Sequence, residues 1–297
     1  MIPGQQVLNY TIYQMIELKL PQRLVGSSLR QLFGLDISSA VVGQLKAKAA
    51  LVYKPTYDGI LSRLTTGRVL HADETKVSIA GGSAYLWVFT NLEEVAFYFT
   101  ETREGEVLQT LFGSFAGVLV SDFYAAYDSM KCRQQKCLIH LIRDLNDDFL
   151  KQPFDKELEE LIRAFSSVLR PIIETVDRFG LKTRFLRKHK KAVEQFYRRV
   201  AESDYQGEAA NQYKKRFEKN REKLFTFLDF DGVTWNNNNA EHAIKSFALL
   251  RNVIRGSSSP KGMREYAILL SICESCKYKG INFLDFLRSG RRVVSAA

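Results

Sequence analysis

Two short apolar runs, each ending on an acidic residue, constrain the fold of this chain more than any other feature. They are Val69-Leu70-His71-Ala72-Asp73 and Val118-Leu119-Val120-Ser121-Asp122. Short valine-rich segments are typical of buried strands, and in an α/β sheet ligands bind beyond the carboxyl ends of the strands. The pattern predicts an α/β protein with both aspartates at strand ends. Asp122 also fits the N-cap of a following helix, so that alternative stays open.

The segment between the two acids predicts a topology. Residues 77–80 and 85–89 are β-rich and flank a Gly81-Gly82 turn, which predicts a hairpin, and residues 95–99 form a further strand. A helix is expected at residues 106–112. If the strand ending at the second acid lies beside the first strand, the two carboxylates come close together. Clustered carboxylates repel unless a cation lies between them, so the pair predicts a Mg²⁺ or Mn²⁺ site.

Charge and hydropathy limit the classes of partner. The chain has 297 residues and a formal net charge of +10, which favours a polyanion, most simply nucleic acid. An ordinary basic protein can have the same net charge, so charge alone does not identify nucleic acid as the partner. The sequence has neither a long apolar run nor a signal-peptide pattern. We therefore expect a cytoplasmic protein with no membrane partner.

The cysteines do not predict a disulfide framework. There are four in the whole chain, too few for such a scaffold. Cys273 and Cys276 have a zinc-like spacing, and Cys132 and Cys137 with His140 make a second half-site. Complete zinc sites show two well-spaced pairs, so the spacing favours free cysteines.

Residues 1–66 are predicted to be helical, with amphipathic segments at 24–33 and 40–53. Pro55 is expected to end the second of these helices or to start the next.

Residues 135–140 are predicted as a fifth strand that runs into 141–145. At its end, His140 is a candidate to orient a phosphate or a water near the acids, and Arg143 a candidate phosphate contact. The alternative is a structural histidine at a strand end.

Residues 146–228 change to a strongly helical and basic character. Between residues 181 and 223 there are 14 Lys or Arg against 6 Asp or Glu, a net charge of +8. Such a region is suited to neutralising phosphates, although a solvated helix face is the usual role of a charge run. The candidate DNA-binding residues here are Arg187, Lys188, Lys190 and Lys191.

A third acid, Glu241, lies near the start of a predicted helix that follows four asparagines. It also forms an i, i+4 spacing with Lys245, so a simple surface pair is the alternative. Arg251, Arg255 and the loop at residues 256–262 make a basic, hydroxyl-rich segment suited to phosphate, without the spacing of a phosphate-binding loop. Lys245, Arg251 and Arg255 complete the candidate DNA-binding residues.

With these residues in view, the chain resembles the catalytic region of the IS66 family of bacterial insertion-sequence transposases, over about residues 22–288. The resemblance continues from Gly256-Ser257 to residues 277–282. Where the family usually has Glu-Arg, this chain has Glu241-His242, with Lys245 as the next basic position. The matching segments are Leu70-His71-Ala72-Asp73-Glu74-Thr75, Gly117-Val118-Leu119-Val120-Ser121-Asp122 with Tyr127, Cys137-Leu138-Ile139-His140-Leu141-Ile142-Arg143 and Asn239-Ala240-Glu241-His242-Ala243-Ile244-Lys245.

The resemblance implies an RNase H-like mixed sheet flanked by helices, with a helical insertion before the last catalytic helix. Asp73, Asp122 and Glu241 take the places of the DDE triad and of the ligands of Mg²⁺ or Mn²⁺. The expected divisions of the chain are an N-terminal helical region at 1–66, the first part of the core at 67–145, a basic helical insertion at 146–230 and the C-terminal helices of the core at 231–297.

The function implied by the resemblance is that of a DNA transposase, which cleaves DNA and transfers strands of an insertion sequence with metal ions. The expected partners are double-stranded DNA, as element ends and target, further copies of the chain in the DNA complex, and accessory proteins. The expected location is the bacterial cytoplasm, at the nucleoid during action. The sequence is expected to begin after the zinc-binding segment usual in the family. Two alternatives stay open: an RNase H-like nuclease that only hydrolyses, and a truncated or domesticated DNA-binding protein without catalysis.

Overall fold

The structure, a computed structural model, describes residues 4–254 and 258–295. It contains five strands: β1 (Val69–Ile79), β2 (Gly82–Thr90), β3 (Val95–Thr100), β4 (Val118–Ser121) and β5 (Arg133–Lys136). They form a mixed sheet in the order β3-β2-β1-β4-β5. β2 is antiparallel to both β1 and β3, and β4 is parallel to β5. Helices flank this sheet, so the predicted RNase H-like fold class is confirmed.

The helices account for most of the remaining described residues, and one of them, α4, is the helix predicted between the third and fourth strands. They are α1 (Gln5–Ile16), α2 (Gln22–Phe33), α3 (Ser39–Thr65), α4 (Glu106–Phe112), α5 (Leu138–Lys151), α6 (Lys156–Phe179), α7 (Thr183–Leu186), α8 (Lys190–Glu202), α9 (Glu208–Lys219), α10 (Arg221–Leu224), α11 (Asn238–Ile254), α12 (Pro260–Tyr278) and α13 (Phe283–Ser289). Short 3₁₀ turns lie at Ala125–Ser129, Arg187–His189 and Thr226–Leu228. No helix among the described residues is long and apolar enough to cross a membrane.

The first strand is longer than predicted, which moves its acid. β1 continues past Asp73 to Ile79, and Asp73 lies opposite Val88 on β2. The expectation that Asp73 ends its strand was therefore wrong. The polar residues after Asp73 suggested that the strand ends there. The strand continues because pairing with β2 satisfies the backbone amides of these residues, and their polar side chains are tolerated at half-buried positions.

The prediction of a fifth strand at residues 135–140 was also wrong in its bounds. β5 ends at Lys136, and α5 begins at Leu138, so His140 lies in the first turn of a helix rather than at a strand end. A short apolar run such as Cys137 to Ile139 fits both a strand and the buried side of a helix, and periodicity cannot separate the two.

Pro55 does not end a helix as predicted. It lies inside α3, which is 27 residues long. Proline removes the hydrogen bond to the carbonyl four residues earlier. That residue is Leu51, which is 77% exposed, so water can bind its carbonyl. The buried side of α3 holds the helix together across the proline, because α3 packs on α12 and β3.

The contacts divide the chain into two compact units: unit 1, Met1–Phe115 with Asn238–Ala297, and unit 2, Ala116–Asn237. In unit 1, α12 covers the outer edge of β3. The backbone N–H groups of Val95 and Phe97 donate to Ser275 and Ser271, at 3.0 and 2.8 Å. Edge strands present unpaired amides, and these buried serines satisfy them. The four divisions expected from the sequence remain a proposal.

The core of unit 2 is aromatic and predominantly helical. Phe165 on α6 packs against Phe196 on α8 and Phe217 on α9, with ring centroids 5.8 and 5.1 Å apart. Buried Gln135 joins β5 to this helical part: its amide donates to the Leu224 carbonyl at 2.9 Å and accepts from the Phe227 N–H at 3.0 Å. The basic helices therefore surround an apolar core of their own.

Candidate active site and nucleic-acid interface

Asp73 is a half-buried carboxylate on β1 of unit 1. Its Oδ1 accepts a hydrogen bond from the Glu74 N–H at 2.9 Å. The neighbouring acid, Glu74, is bound by the Arg103 guanidinium, with Nε 3.1 Å from Oε1. Because an arginine already neutralises Glu74, this second acid of the motif is a poor candidate for a metal ligand.

Asp122 follows β4 directly, in unit 2, and is half-buried. Its Oδ1 accepts a hydrogen bond from the Tyr124 N–H at 2.9 Å. This Asx turn bends the chain away from the sheet. The next element is the 3₁₀ turn Ala125–Ser129, whose N-cap is Tyr124, without a side-chain cap. Asp122 therefore shapes the strand exit and is not the helix N-cap.

A buried lysine that we did not predict lies close to Asp122. Lys136 ends β5, is 1% exposed, and lies opposite Ser121 in the parallel register. Its Nζ is 3.4 Å from the Ser121 hydroxyl and 3.2 Å from Asp128 Oδ1. Burial lowers the pKa of Lys136, while the carboxylates of Asp128 and Asp122 act to raise it. The local sequence carries no signal that separates this lysine from an exposed one.

Asp128 is the partner of two lysines in unit 2. Lys223 Nζ lies 2.8 Å from the same Oδ1 that Lys136 approaches. Burial alone would raise the pKa of Asp128, but hydrogen bonds from Lys223 and Lys136, together with their charges, hold the pKa below its ordinary value. The charge of the buried lysine is thus compensated, as a buried ion requires.

Glu241 lies in the first turn of α11, in unit 1, and is half-buried. The apolar side of α11 packs on β1 and β2 and includes Ala240, Ala243 and Phe247. Asn239 fixes the start of the helix: its Nδ2 donates to the Asn91 carbonyl at 2.8 Å, and its Oδ1 accepts from the Tyr278 hydroxyl at 2.8 Å. At least one asparagine of the unusual run is thus a tertiary anchor.

Replacing Tyr278 by phenylalanine removes the hydroxyl that holds Asn239. We expect the free energy of unfolding to fall by about 1 kcal/mol, the usual net value of one hydrogen bond. Urea denaturation measures this change. Tyr10→Phe is the control, because the Tyr10 hydroxyl makes no hydrogen bond within the described part of the chain. Equal changes in the two variants would contradict the anchoring role.

The candidate DNA-binding residues of the insertion lie together on one exposed segment of unit 2. Arg187 and Lys188 are in the 3₁₀ turn, and Lys190 and Lys191 open α8; all four are exposed. Lys190 forms an ion pair with Asp229 at 2.8 Å. The ring of His189 lies 2.8 Å from the Thr175 hydroxyl, and its burial lowers its pKa. This neutral contact holds the segment on α6.

The remaining candidates have different surroundings. His140 and Arg143 lie one turn apart on α5, and Arg143 is exposed, as is Lys245 on α11. Arg251 is engaged within unit 1: its Nη1 donates to the Lys76 carbonyl at 3.1 Å, at the distal part of β1. Arg255 and the adjacent Gly256-Ser257 lie outside the described residues.

The buried cysteines of α12 are poorly suited to zinc. Burial raises the pKa of both thiols, that of Cys276 to about 12. Zinc binds thiolates, so neutral buried thiols are poor ligands. The carboxylates of Asp73, Asp122 and Glu241 are instead hard oxygen donors of the kind that Mg²⁺ and Mn²⁺ prefer.

Comparison with known proteins identifies the family of this chain. A family model described as "Transposase IS66 family" matches residues 1–265. The chain is also 23% identical over 286 residues to "Uncharacterized protein y4qI" of Sinorhizobium fredii. That alignment covers 86% of this chain and 53% of the relative, so the chain spans about half the length of that protein. Because the family match extends over most of its residues, the chain belongs to the IS66 family of transposases.

Proposed function

We propose that this chain is a DNA transposase that cleaves and joins DNA strands, with Asp73, Asp122 and Glu241 as its metal-binding carboxylates. The observation that carries the proposal is the family match over residues 1–265 of a chain whose three acids occur on β1, directly after β4 and in the first turn of α11. Family membership alone supports action on DNA. The three carboxylates supply the reason to expect metal-dependent chemistry.

The three carboxylates are proposed to hold Mg²⁺ or Mn²⁺. Such ions, if bound by these carboxylates, would supply the positive charge that activates an attacking oxygen and stabilises a leaving oxygen at a phosphate. The residues of the chain then have separate tasks. The Asx turn at Tyr124 orients Asp122, and the contacts of Asn239 fix the helix that carries Glu241. His140 and Arg143 are proposed to contact the phosphate.

The test of this function is a cleavage and strand-transfer assay on DNA that flanks the gene, which would carry the element ends. We expect strand cleavage with Mg²⁺ or Mn²⁺ and none with EDTA. A pre-cut end with a free 3′-hydroxyl should then become joined to target DNA. Cleavage without joining would favour the purely hydrolytic nuclease. Binding without either reaction would favour the non-catalytic DNA-binding protein.

The exposed basic segment is proposed to hold duplex DNA through its phosphates. Replacing both Lys188 and Lys191 by glutamate should weaken duplex binding about tenfold or more and reduce the slope of log affinity against log salt. Gel-shift titrations at several salt concentrations measure both effects. The control variant, Arg23→Glu with Lys48→Glu, makes the same change in net charge on α2 and α3. If the control loses as much affinity, the segment is not a specific interface.

Partners beyond DNA belong to the same proposal. Further copies of the chain in the DNA complex are expected because transposition brings two element ends together, and accessory proteins are expected from the family resemblance. Light scattering of the chain with and without end DNA tests the first of these.

A further inference from the structure

Unit 2 contains a cavity of about 720 Å³, which shares Arg187 with the exposed basic segment. It opens beside the start of β5, and its wall includes Arg133, Arg187, Lys223 and Phe230. Its volume lies within the range of small-molecule sites, roughly 300–1,000 Å³. A single nucleotide fits such a space and a DNA duplex does not.

The charges around the cavity favour an anion. Three acids line it, but two of them are already bound: Asp128 by Lys136 and Lys223, and Asp229 by Lys190 at 2.8 Å. Glu222 is the third acid. The wall itself carries three cations, Arg133, Arg187 and Lys223, against these three acids. Because lysines already bind two of the acids, the two arginines are available for a phosphate.

Two of these cations have no acidic partner. Within residues 4–254 and 258–295, no carboxylate oxygen lies within 4.0 Å of the guanidinium nitrogens of Arg133 or Arg187. Both side chains are exposed. Guanidinium groups bind phosphate through two parallel hydrogen bonds, which makes them better suited to this task than lysine.

The wall also offers a flat surface for a base. The Arg133 guanidinium lies 5.0 Å from the centre of the Phe230 ring. Unpaired bases stack on aromatic rings and on arginine planes, whereas a simple phosphate gains nothing from such a surface. The pair therefore indicates a ligand with both a phosphate and an aromatic part.

We propose that this cavity binds one unpaired nucleotide of a DNA strand, with its phosphate on Arg187 and Lys223 and its base against the Arg133–Phe230 pair. The choice of DNA rests on the proposed function. The anionic and stacking character of the ligand rests on the cavity alone.

The test is calorimetric titration of the whole chain, in EDTA, with the dinucleotide 5′-phospho-dAdA. We expect saturable binding that Arg187→Ala weakens about tenfold and Phe230→Leu about fivefold or more. The control is Arg198→Ala, which removes an exposed arginine of α8 outside the cavity wall and should change affinity less than about twofold. Melting temperatures of all variants verify that they are folded. Arg187→Lys should retain part of the affinity because it keeps the charge.

The proposal is overturned by an absence of dinucleotide binding, or by an equal loss in Arg198→Ala. It is also overturned if inorganic pyrophosphate binds as well as the dinucleotide and Phe230→Leu has no effect, which would mean a simple anion site. No metal enters the assay, so failure of the catalytic proposal leaves this result unaffected. Phe230→Leu should also leave the affinity for duplex DNA unchanged, which separates this cavity from the exposed basic segment.

Discussion

Replacing Asp122 by asparagine is expected to reduce metal-dependent DNA cleavage by at least about 10²–10³-fold, the range seen when one electrostatic group of an active site is lost. Asparagine keeps an oxygen that can accept the Tyr124 N–H, so the Asx turn remains. What it removes is the negative charge that a hard cation needs. Asp73→Asn and Glu241→Gln should act in the same way, because each replaces a carboxylate by an amide of the same shape.

Three measurements test this expectation: the cleavage rate with Mg²⁺ or Mn²⁺, the affinity for duplex DNA in EDTA, and the melting temperature. Only the first should change. Asp177→Asn, on the exposed side of α6, is the control and should cleave at the wild-type rate. Full cleavage by any one of the three amide variants would remove that residue from the proposed site, and retained cleavage in all three would overturn the proposed chemistry.

Replacing Gln135 by leucine should have the largest effect on stability among the changes considered. The side chain is fully buried and bonds the Leu224 carbonyl and the Phe227 N–H. Leucine has a similar size but leaves both backbone groups buried without a partner, at about 1–3 kcal/mol each. We expect the free energy of unfolding to fall by about 2–5 kcal/mol, with loss of order where β5 meets α10 and the following turn.

Urea denaturation followed by circular dichroism measures this loss, and hydrogen exchange of the Phe227 amide locates it. The control is Gln212→Leu, an exposed position on α9 whose amide bonds Glu208, and it should change stability by less than about 0.5 kcal/mol. A similar loss in both variants would mean that the hydrophobic substitution itself, and not the buried hydrogen bonds, is responsible.

The sequence predictions that were wrong share one physical origin. Periodicity predicted the existence of all five strands and of α4, but it failed where the backbone continues through polar residues, as β1 does after Asp73. It failed again at residues 137–140, where a short apolar run suits both a strand and a helix, and at Pro55. In each case tertiary packing determined the secondary structure, because hydrogen bonds to a neighbouring strand or burial on a sheet outweigh the local conformational preference of the residues.

Long-range contacts of single polar side chains were likewise beyond the sequence. Nothing in the local pattern distinguishes Lys136 from an exposed lysine or Asn239 from its neighbours in the asparagine run. Their roles follow from partners far away in sequence, such as Tyr278, which lies 39 residues after Asn239. Gln135 is a similar case, since its partners lie in a separate helical segment.

The sequence by itself determined the class of this protein. The two apolar runs that lead into acids, the order of the three carboxylates, the family resemblance and the basic helical segment are all local or compositional, and a chain carries such signals whatever its packing. Only the tertiary structure decided where strands stop, which lysine is buried beside Asp122, and how α11 is anchored. Each of these features depends on contacts between residues that are distant in sequence. Burial strengthens the hydrogen bonds of such contacts, because it removes the water that would otherwise compete for the same donors and acceptors.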